Sequence, residues 1–309
     1  MTTIEDIASV HLGKAGDGSV VKPYVTPDTI DPSLLVAVPR KLNRVQYKID
    51  DNHLPFVGSD VWNCYEFSTL LDSGYPLSGL LKIEYSSSSH SIVESKSLKL
   101  YLNSFNMVRI SDTANLAKVV IESRVSDDLS KLLGSKVNVT FHRQSANNNQ
   151  VPPLSNTYWF IDEVIDFKKT NFESYNEDPS LLEVISANAL SDTRLHTSSL
   201  RSNCRVTNQP DWGDVYITIK GDKTITASSF LKYIVSMRKE NHFHEEICEC
   251  IYKRLWDLLS PDELFVACLY TRRGGIDINP VRASNIELLN YEAFPLIQST
   301  LICQKTMRQ

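Results

Sequence analysis

The sequence predicts an α+β protein made of two tandem copies of one small unit, each with antiparallel strand pairs and helices packed on one face. Three observations carry this expectation. Alternation of polar and apolar residues marks strands in both halves, as in Leu80-Leu81-Lys82-Ile83-Glu84-Tyr85. Longer stretches with apolar residues at helical spacing lie between the strands. The order strand pair, helices, strand pair occurs twice with little residue identity, restarting near residue 165, so the units are placed at 1–165 and 166–309. With 309 residues and 42% hydrophobic side chains, the chain has enough apolar matter for one large or two ordinary domains.

Residues 1–56 read as an arm with little regular structure, because Pro23, Pro27, Pro32, Pro39 and Pro55 interrupt any long periodic element. Within it Leu34-Leu35-Val36-Ala37-Val38 is expected to dock on the body. Strand-like runs occupy residues 61–86, and the serines at 86–89 form a strand-end turn. Residues 115–133 read as a helix with Leu116, Val119, Val120, Leu129, Leu132 and Leu133 near helical spacing, closed by Gly134 as a left-handed cap. Residues 137–141 and 158–164 then read as paired strands around a hairpin loop at 144–153, which carries three asparagines and two prolines.

In the second half, residues 180–187, 199–204 and 214–220 are candidate strands. A helix is expected at 227–239, with Phe230, Ile234 and Met237 on one stripe. The next, at 245–259, carries Ile247, Ile251, Leu255 and Leu259, and a strand returns at 264–272.

Charge and composition narrow the function classes. A net charge of −5 argues against a nucleic-acid backbone as ligand, which demands a basic face. The start of the chain has neither the basic nor the apolar region of an export signal, and no apolar run reaches the length of a membrane span. The six cysteines are scattered rather than paired at disulfide-framework spacings, so reduced thiols and a cytoplasmic setting are expected.

Chemistry points to Ser202-Asn203-Cys204-Arg205-Val206-Thr207-Asn208-Gln209-Pro210-Asp211. A thiol ends a strand, Gln209-Pro210-Asp211 reads as a turn, and the turn brings the Asp211 carboxylate back over the sulfur. Strand alternation would point Cys204 and Val206 one way and Arg205 the other. A soft nucleophile beside an acid suits covalent chemistry at an unsaturated carbon. Taken singly, Cys204 also fits a buried structural thiol, Asp211 a turn-former, and His244-Glu245 an ordinary helix start. Lys96, Lys99, Arg272 and Arg273 would form a basic patch if their segments meet.

Cys204 and Asp211, together with Glu94-Ser95-Lys96-Ser97, Lys99 and Tyr101, with Asn241-His242-Phe243-His244-Glu245-Glu246, and with Tyr270-Thr271-Arg272-Arg273-Gly274-Gly275-Ile276-Asp277-Ile278-Asn279-Pro280, resemble the QueF nitrile reductases of queuosine biosynthesis, a tRNA modification. These convert 7-cyano-7-deazaguanine to 7-aminomethyl-7-deazaguanine with NADPH. The resemblance runs over nearly the whole chain, in the longer form of the family. It implies two tunnelling-fold units of the GTP cyclohydrolase I kind, a homodimer, and catalysis by Cys204 through a covalent thioimide. Asp211 is implied as proton carrier and His244 as a substrate contact that helps protonate nitrogen. Val93, Glu94, Ser95, Phe243, His244 and Glu245 are implied as substrate contacts, with Glu245 gripping the amino and ring N–H edge of the base. Ser95, Lys96, Arg273 and Gly274 are implied as NADPH contacts. No glycine-rich dinucleotide fingerprint follows a strand, so the cofactor rests on the resemblance alone. Arg205 stands where relatives carry smaller residues and is expected to have little catalytic consequence.

No metal ligand set is assigned. Two rival readings remain open. In one, His244 and Cys248, four apart on a helix, join Cys204 around zinc as in a cyclohydrolase of the same fold; in the other, the chain is a non-catalytic purine-binding module.

Overall fold

The computed structural model describes residues 28–143, 149–154, 158–166, 168–187, 192–307 and 309. The first 27 residues of the expected arm and residues 144–148 of the expected 144–153 loop lie outside them. The described elements are strands β1 (Ala37–Pro39), β2 (Val57–Leu71), β3 (Pro76–Ser86), β4 (Ser91–Val93), β5 (Arg109–Ser111), β6 (Val137–Arg143), β7 (Gln150–Val151), β8 (Trp159–Phe160), β9 (Val184–Ser186), β10 (Asp192–Asn203), β11 (Pro210–Lys220), β12 (Lys223–Ile225), β13 (Glu263–Tyr270), β14 (Ile276–Ala283) and β15 (Ile302–Cys303). The helices are α1 (Lys41–Arg44), α2 (Ser95–Asn103), α3 (Ala114–Leu133), α4 (Ala227–Ser236), α5 (His244–Leu259) and α6 (Ile286–Ile297). None of them is long and apolar enough to cross a membrane among the described residues.

The organising layer is a mixed, mainly antiparallel sheet in the order β6-β3-β2-β14-β13-β11-β10-β8, with β5 pairing β2 from the side. Its two halves join where β14 pairs β2, from Ile276 opposite Cys64 to Ala283 opposite Val57. Helices α2 to α5 cover one face. Leu98, Ile121 and Val125 pack with Leu81 and Ile83, while Phe230, Ile247 and Ile251 pack with Val215, Ile217 and Val266.

The strand period explains the remaining helix. In β13, Leu264, Val266 and Cys268 face α4 and α5, so Phe265, Ala267 and Leu269 face the opposite side. There α6 covers them with Leu288, Leu289, Ala293 and Leu296. The expectation of helices on one face is therefore corrected: alternation left a second apolar face on the central strands, and α6 buries it.

Three further expectations change. The 137–141 and 158–164 segments do not pair: β6 lies antiparallel to β3, and β8 runs parallel to β10 at the far end of the sheet. Helix α3 begins after its Thr113 cap and ends at Gly134 as expected, at φ 59°, but its buried stripe is Ala117, Ile121, Val125, Leu129 and Leu133, while Leu116, Val119 and Val120 are exposed. The cause is that α3 also serves the edge of β6 with a polar row. Glu122 accepts the Phe141 N–H (2.7 Å), Lys118 donates to the Phe141 carbonyl (2.7 Å), and Ser126 and Ser130 satisfy the two backbone groups of Val137. Finally, Pro210 and Asp211 open β11 rather than turning. The turn is residues 204–208, where Asn208 adopts φ 53°, its N–H donates to the Cys204 carbonyl, and the Cys204 N–H donates to Gln209. Pro at a strand's first residue costs no ladder bond, which is why it fits there.

The arm docks as expected. Leu35 is buried, and β1 pairs β4 with Ala37 opposite Val93. It also delivers Arg40 and Arg44 into a fully buried charge network. Arg40 pairs with Asp60 of β2, Arg282 of β14 donates to Asp60 (2.8 Å) and to Glu249 of α5 (2.9 Å), and Arg44 grips Glu249 through two nitrogens (2.7 and 2.8 Å). Burial raises the Asp60 and Glu249 carboxyls, but the surrounding guanidinium groups outweigh it and hold both below the usual range.

Removing one carboxylate strands buried positive charge. Glu249→Ala is expected to lower unfolding free energy by about 3–5 kcal/mol, read from the urea midpoint at neutral pH. A loss within error of zero would show that the network holds nothing. Because the folded carboxyls are depressed, the parent's advantage is present above their unfolded values and disappears as pH falls through the folded ones.

Candidate active site

The hairpin β10–β11 presents Cys204 at its tip. All six cysteines are free, and Cys204 alone among them is not buried. Burial pushes the thiols of Cys64, Cys250, Cys268 and Cys303 up, Cys250 to about 12, which makes them inert core thiols.

Opposite Ser202 in the ladder stands Asp211, with its side chain buried. One carboxylate oxygen takes the Arg273 guanidinium, and the other lies 3.4 Å from His244 Nε2. Burial raises this carboxyl, but the His244 hydrogen bond and the Arg273 charge prevail and lower it. His244 is the first residue of α5, and its ring stacks on Tyr270 at 3.8 Å and 11°, which fixes the imidazole plane. The His244 Nδ1 is buried without a partner among the described residues. Phe243 is the cap residue, its N–H donating to the Glu246 carboxylate (2.9 Å).

Glu245, one residue further along α5, is 2% exposed, and its Oε1 has no partner among the described residues. Burial first, and the negative Asp60 second, push its carboxyl up to about 8, against the pull of Arg40 and Arg282. A buried acceptor left empty is costly, so this oxygen marks a place for a donor. The Tyr85 hydroxyl, pushed well up by burial and by Glu245, also feels the backbone of Val93. In this way Glu245 on α5 is linked through Tyr85 to the N-terminal signature.

That signature is built from the cap of α2. Glu94 accepts the N–H groups of Lys96 (3.0 Å) and Ser97 (2.7 Å), Ser95 is the first helical residue, and Lys96 is exposed. The Glu94 carboxylate is thus engaged as a helix cap. One and a half turns on, Lys99 meets the turn between β13 and β14: a side chain at Gly274 would touch its Nζ at 3.1 Å. Gly275, at φ 79°, would put a Cβ 2.3 Å from Glu66, the carboxylate that holds Lys99 (3.1 Å). The two basic segments therefore do meet, through backbone that tolerates no side chain.

Arg205 departs from expectation. Strand geometry ends at Asn203, so Arg205 does not alternate away. Its guanidinium reaches the Asn241 carbonyl, Glu246 (both 3.3 Å) and His242 (3.4 Å), tying the cysteine turn to the start of α5. His242 in turn accepts or donates at Tyr47 of the arm (2.9 Å). Cys248 is buried with its thiol towards the carbonyls of Val266 and Pro280, away from a shared site with His244. No three His, Cys, Asp or Glu side chains group as a metal ligand set among the described residues. Sequence reading missed Tyr270, Tyr85, Ser202 and the arginine network, whose signal was only that charged or aromatic residues sit at core phases of strands.

Comparison with known proteins agrees with this geometry. Residues 26–141 match the family described as nitrile reductase, 7-cyano-7-deazaguanine-reductase N-term, and residues 210–287 match that described as QueF-like protein. The matched class is thus one of nitrile reductases. An NADPH-dependent 7-cyano-7-deazaguanine reductase of Colwellia psychrerythraea is 39% identical over 286 residues, 91% of this chain and 94% of that protein. The chain belongs to the 7-cyano-7-deazaguanine reductase family. A crystal structure of the archaeosine synthase QueF-Like in the apo form is 16% identical and covers 32% of this chain and 98% of that one, with a TM-score of 0.29.

Glu245 gives a direct test of the site's electrostatics. Its folded value lies above the unfolded 4.5, so the carboxyl is harmless below that pH and destabilises increasingly as pH rises to about 8. Glu245→Gln is expected to melt like the parent in the acid range and several degrees higher in the alkaline range. A pH-independent difference would show an ordinary, solvated carboxyl.

Proposed function

We propose that this chain catalyses the NADPH-dependent four-electron reduction of the nitrile of 7-cyano-7-deazaguanine to an aminomethyl group, through a thioimide on Cys204. The observation that carries the reading is the buried Glu245 carboxylate, whose Oε1 has no partner among the described residues, one residue from His244, which itself touches Asp211. A guanine-like edge offers two parallel N–H donors, and a carboxylate is their natural acceptor. With the base held there, Phe243 closes one side and Val93 and Ser95 the other.

A nitrile accepts hydride poorly. Addition of the Cys204 sulfur to its carbon, with the thiol proton passing to Asp211 and on to nitrogen, gives a C=N bond that is readily reduced once nitrogen is protonated. Hydride adds to carbon and a proton from the Asp211–His244 pair to nitrogen. The C–S bond then breaks, restoring the thiol and leaving an imine for a second round. NADPH supplies the two hydrides when bound. The residues fit such a group: Lys99, Arg272 and Arg273 cluster around the Gly274-Gly275 turn, where bare backbone permits close approach, and Ser95 with Lys96 opens α2 beside it.

The chain is further read as two tunnelling-fold units, residues 1–165 and 166–309. In support, β2-β3-α2-α3-β6 and β10-β11-α4-α5-β13 repeat one order of elements. A homodimer is supported by the exposed row Leu116, Val119 and Val120, and a cytoplasmic setting by six free thiols. The substrate is taken as the free base, consistent with the net charge of −5.

Mixed with 7-cyano-7-deazaguanine without NADPH, the protein should gain the mass of one substrate, and Cys204→Ala should gain none while still binding. An adduct that survives the substitution would refute the assignment. Binding to Cys204→Ala should also release close to one proton at pH 7, because Glu245 titrates near 8 and must ionise to hold the base, and almost none well above that value. Calorimetry in buffers of different ionisation enthalpy measures this. Equal proton release across the range would remove Glu245 as the clamp.

A further inference from the structure

Arg273 is placed between two demands. Its guanidinium binds the Asp211 carboxylate and, through Nη2, the Gln209 side chain (2.8 Å), yet its side chain is 37% exposed and its neighbour Gly274 abuts Lys99. The backbone of Arg273 is fixed on both sides by reciprocal hydrogen bonds with Ile276 (2.9 and 3.0 Å), so only the side chain is free to swing. The proton chemistry also makes opposite demands on Asp211. To take the thiol proton it must be ionised, and to feed a proton to nitrogen during reduction it must hold one.

We propose that Arg273 is a positioning residue that switches Asp211 between these roles: paired with Asp211 it keeps the carboxylate a proton acceptor while the thioimide forms, and drawn onto the cofactor's phosphates it releases Asp211 to carry a proton. This rests on the covalent reading of the site. It extends that reading by making acid competence conditional on a bound hydride donor.

The physical basis is the strength and geometry of the competing contacts. Guanidinium binds phosphate oxygens as readily as a carboxylate, and in the same bidentate manner. Loss of one opposite charge at hydrogen-bond distance raises a carboxyl by about 1–3 pH units. Among the described residues Asp211 meets Arg273 from the β13–β14 turn and His244 from α5, and it feels Tyr270 of β13. With Arg273 withdrawn, His244 at 3.4 Å is the remaining partner, and a proton shared between Asp211 and His244 is then available to the substrate nitrogen. The same movement frees Gln209, whose backbone carbonyl holds the Cys204 N–H (2.8 Å). No redox change is involved in the switch itself; one proton moves and one ion pair is exchanged for another.

The test uses adduct formation, which needs no turnover. The rate of thioimide formation, followed by intact mass across pH, should show an acid limb set by Asp211. In Arg273→Met without cofactor that limb should move up by about 1–2 pH units, and Arg273→Lys should restore part of the shift. Adding NADP⁺, which cannot donate hydride, should move the parent's limb upward in the same way and leave that of Arg273→Met unmoved. An acid limb indifferent to both the substitution and NADP⁺ overturns the switch while leaving the covalent reading intact. Failure of the parent to form any adduct overturns both.

Discussion

Everything around the candidate site hangs on one interaction: three buried guanidinium groups, Arg40, Arg44 and Arg282, held by Asp60 and Glu249. The partners come from the arm, from β2, from β14 and from α5, so the whole network closes only when all four segments are in place. Burial of ions is not a cheap source of stability, since desolvation offsets most of the attraction. What the arrangement supplies is register. Any slip of β14 against β2 would leave a naked charge in the core, and the join between the two halves of the sheet is therefore fixed to the residue.

The same network sets the character of the site. Glu249 lies one helical turn after Glu245, on the same face of α5, and Asp60 presents its charge to Glu245 while Arg40, Arg44 and Arg282 surround Glu249. The helix thus carries one carboxylate that is fully satisfied and one with an empty oxygen, and the contrast between them arises from which arginines reach them. At the other end of the site, Asp211 is held ionised by His244 and Arg273, while Tyr270 fixes the imidazole plane. Two buried acids on α5 and β11 are pushed in opposite directions by their neighbours, and under the proposed function that divergence assigns one to binding and the other to proton transfer.

Much of this was legible in the sequence where a local rule applied. The stripe Ile247, Ile251, Leu255 and Leu259 is buried as its spacing requires, and Gly134 ends α3 in the left-handed conformation that favours glycine. The pattern failed where burial is two-sided. All eight residues of β14 are buried, among them Asp277, Asn279, Pro280 and Arg282, so the polar residues that alternate with apolar ones there mark no exposed face, and Pro280 interrupts the strand pattern. The exposed face of α3 misled for the converse reason: its polar row is consumed by a strand edge, leaving apolar residues outward. Arg44 and Glu249 are 205 residues apart, and nothing local distinguishes them from surface charges. Of the candidate site, Cys204, Asp211 and His244 were readable as parts of motifs, whereas the partners around them were not. Arg205 shows the limit: its direction depended on where β10 stopped, a matter of one residue.

The polar row of α3 along β6 also bears on how copies of the chain can meet. A bare strand at the rim of a sheet is a template that recruits other strands, natively or in misfolded aggregates. Here Lys118, Glu122, Ser126 and Ser130 occupy the backbone groups of Val137 and Phe141 that would do the recruiting. Those two residues are closed to a further strand, so a ladder continuing from one molecule into the next would lose its main-chain bonds at both positions.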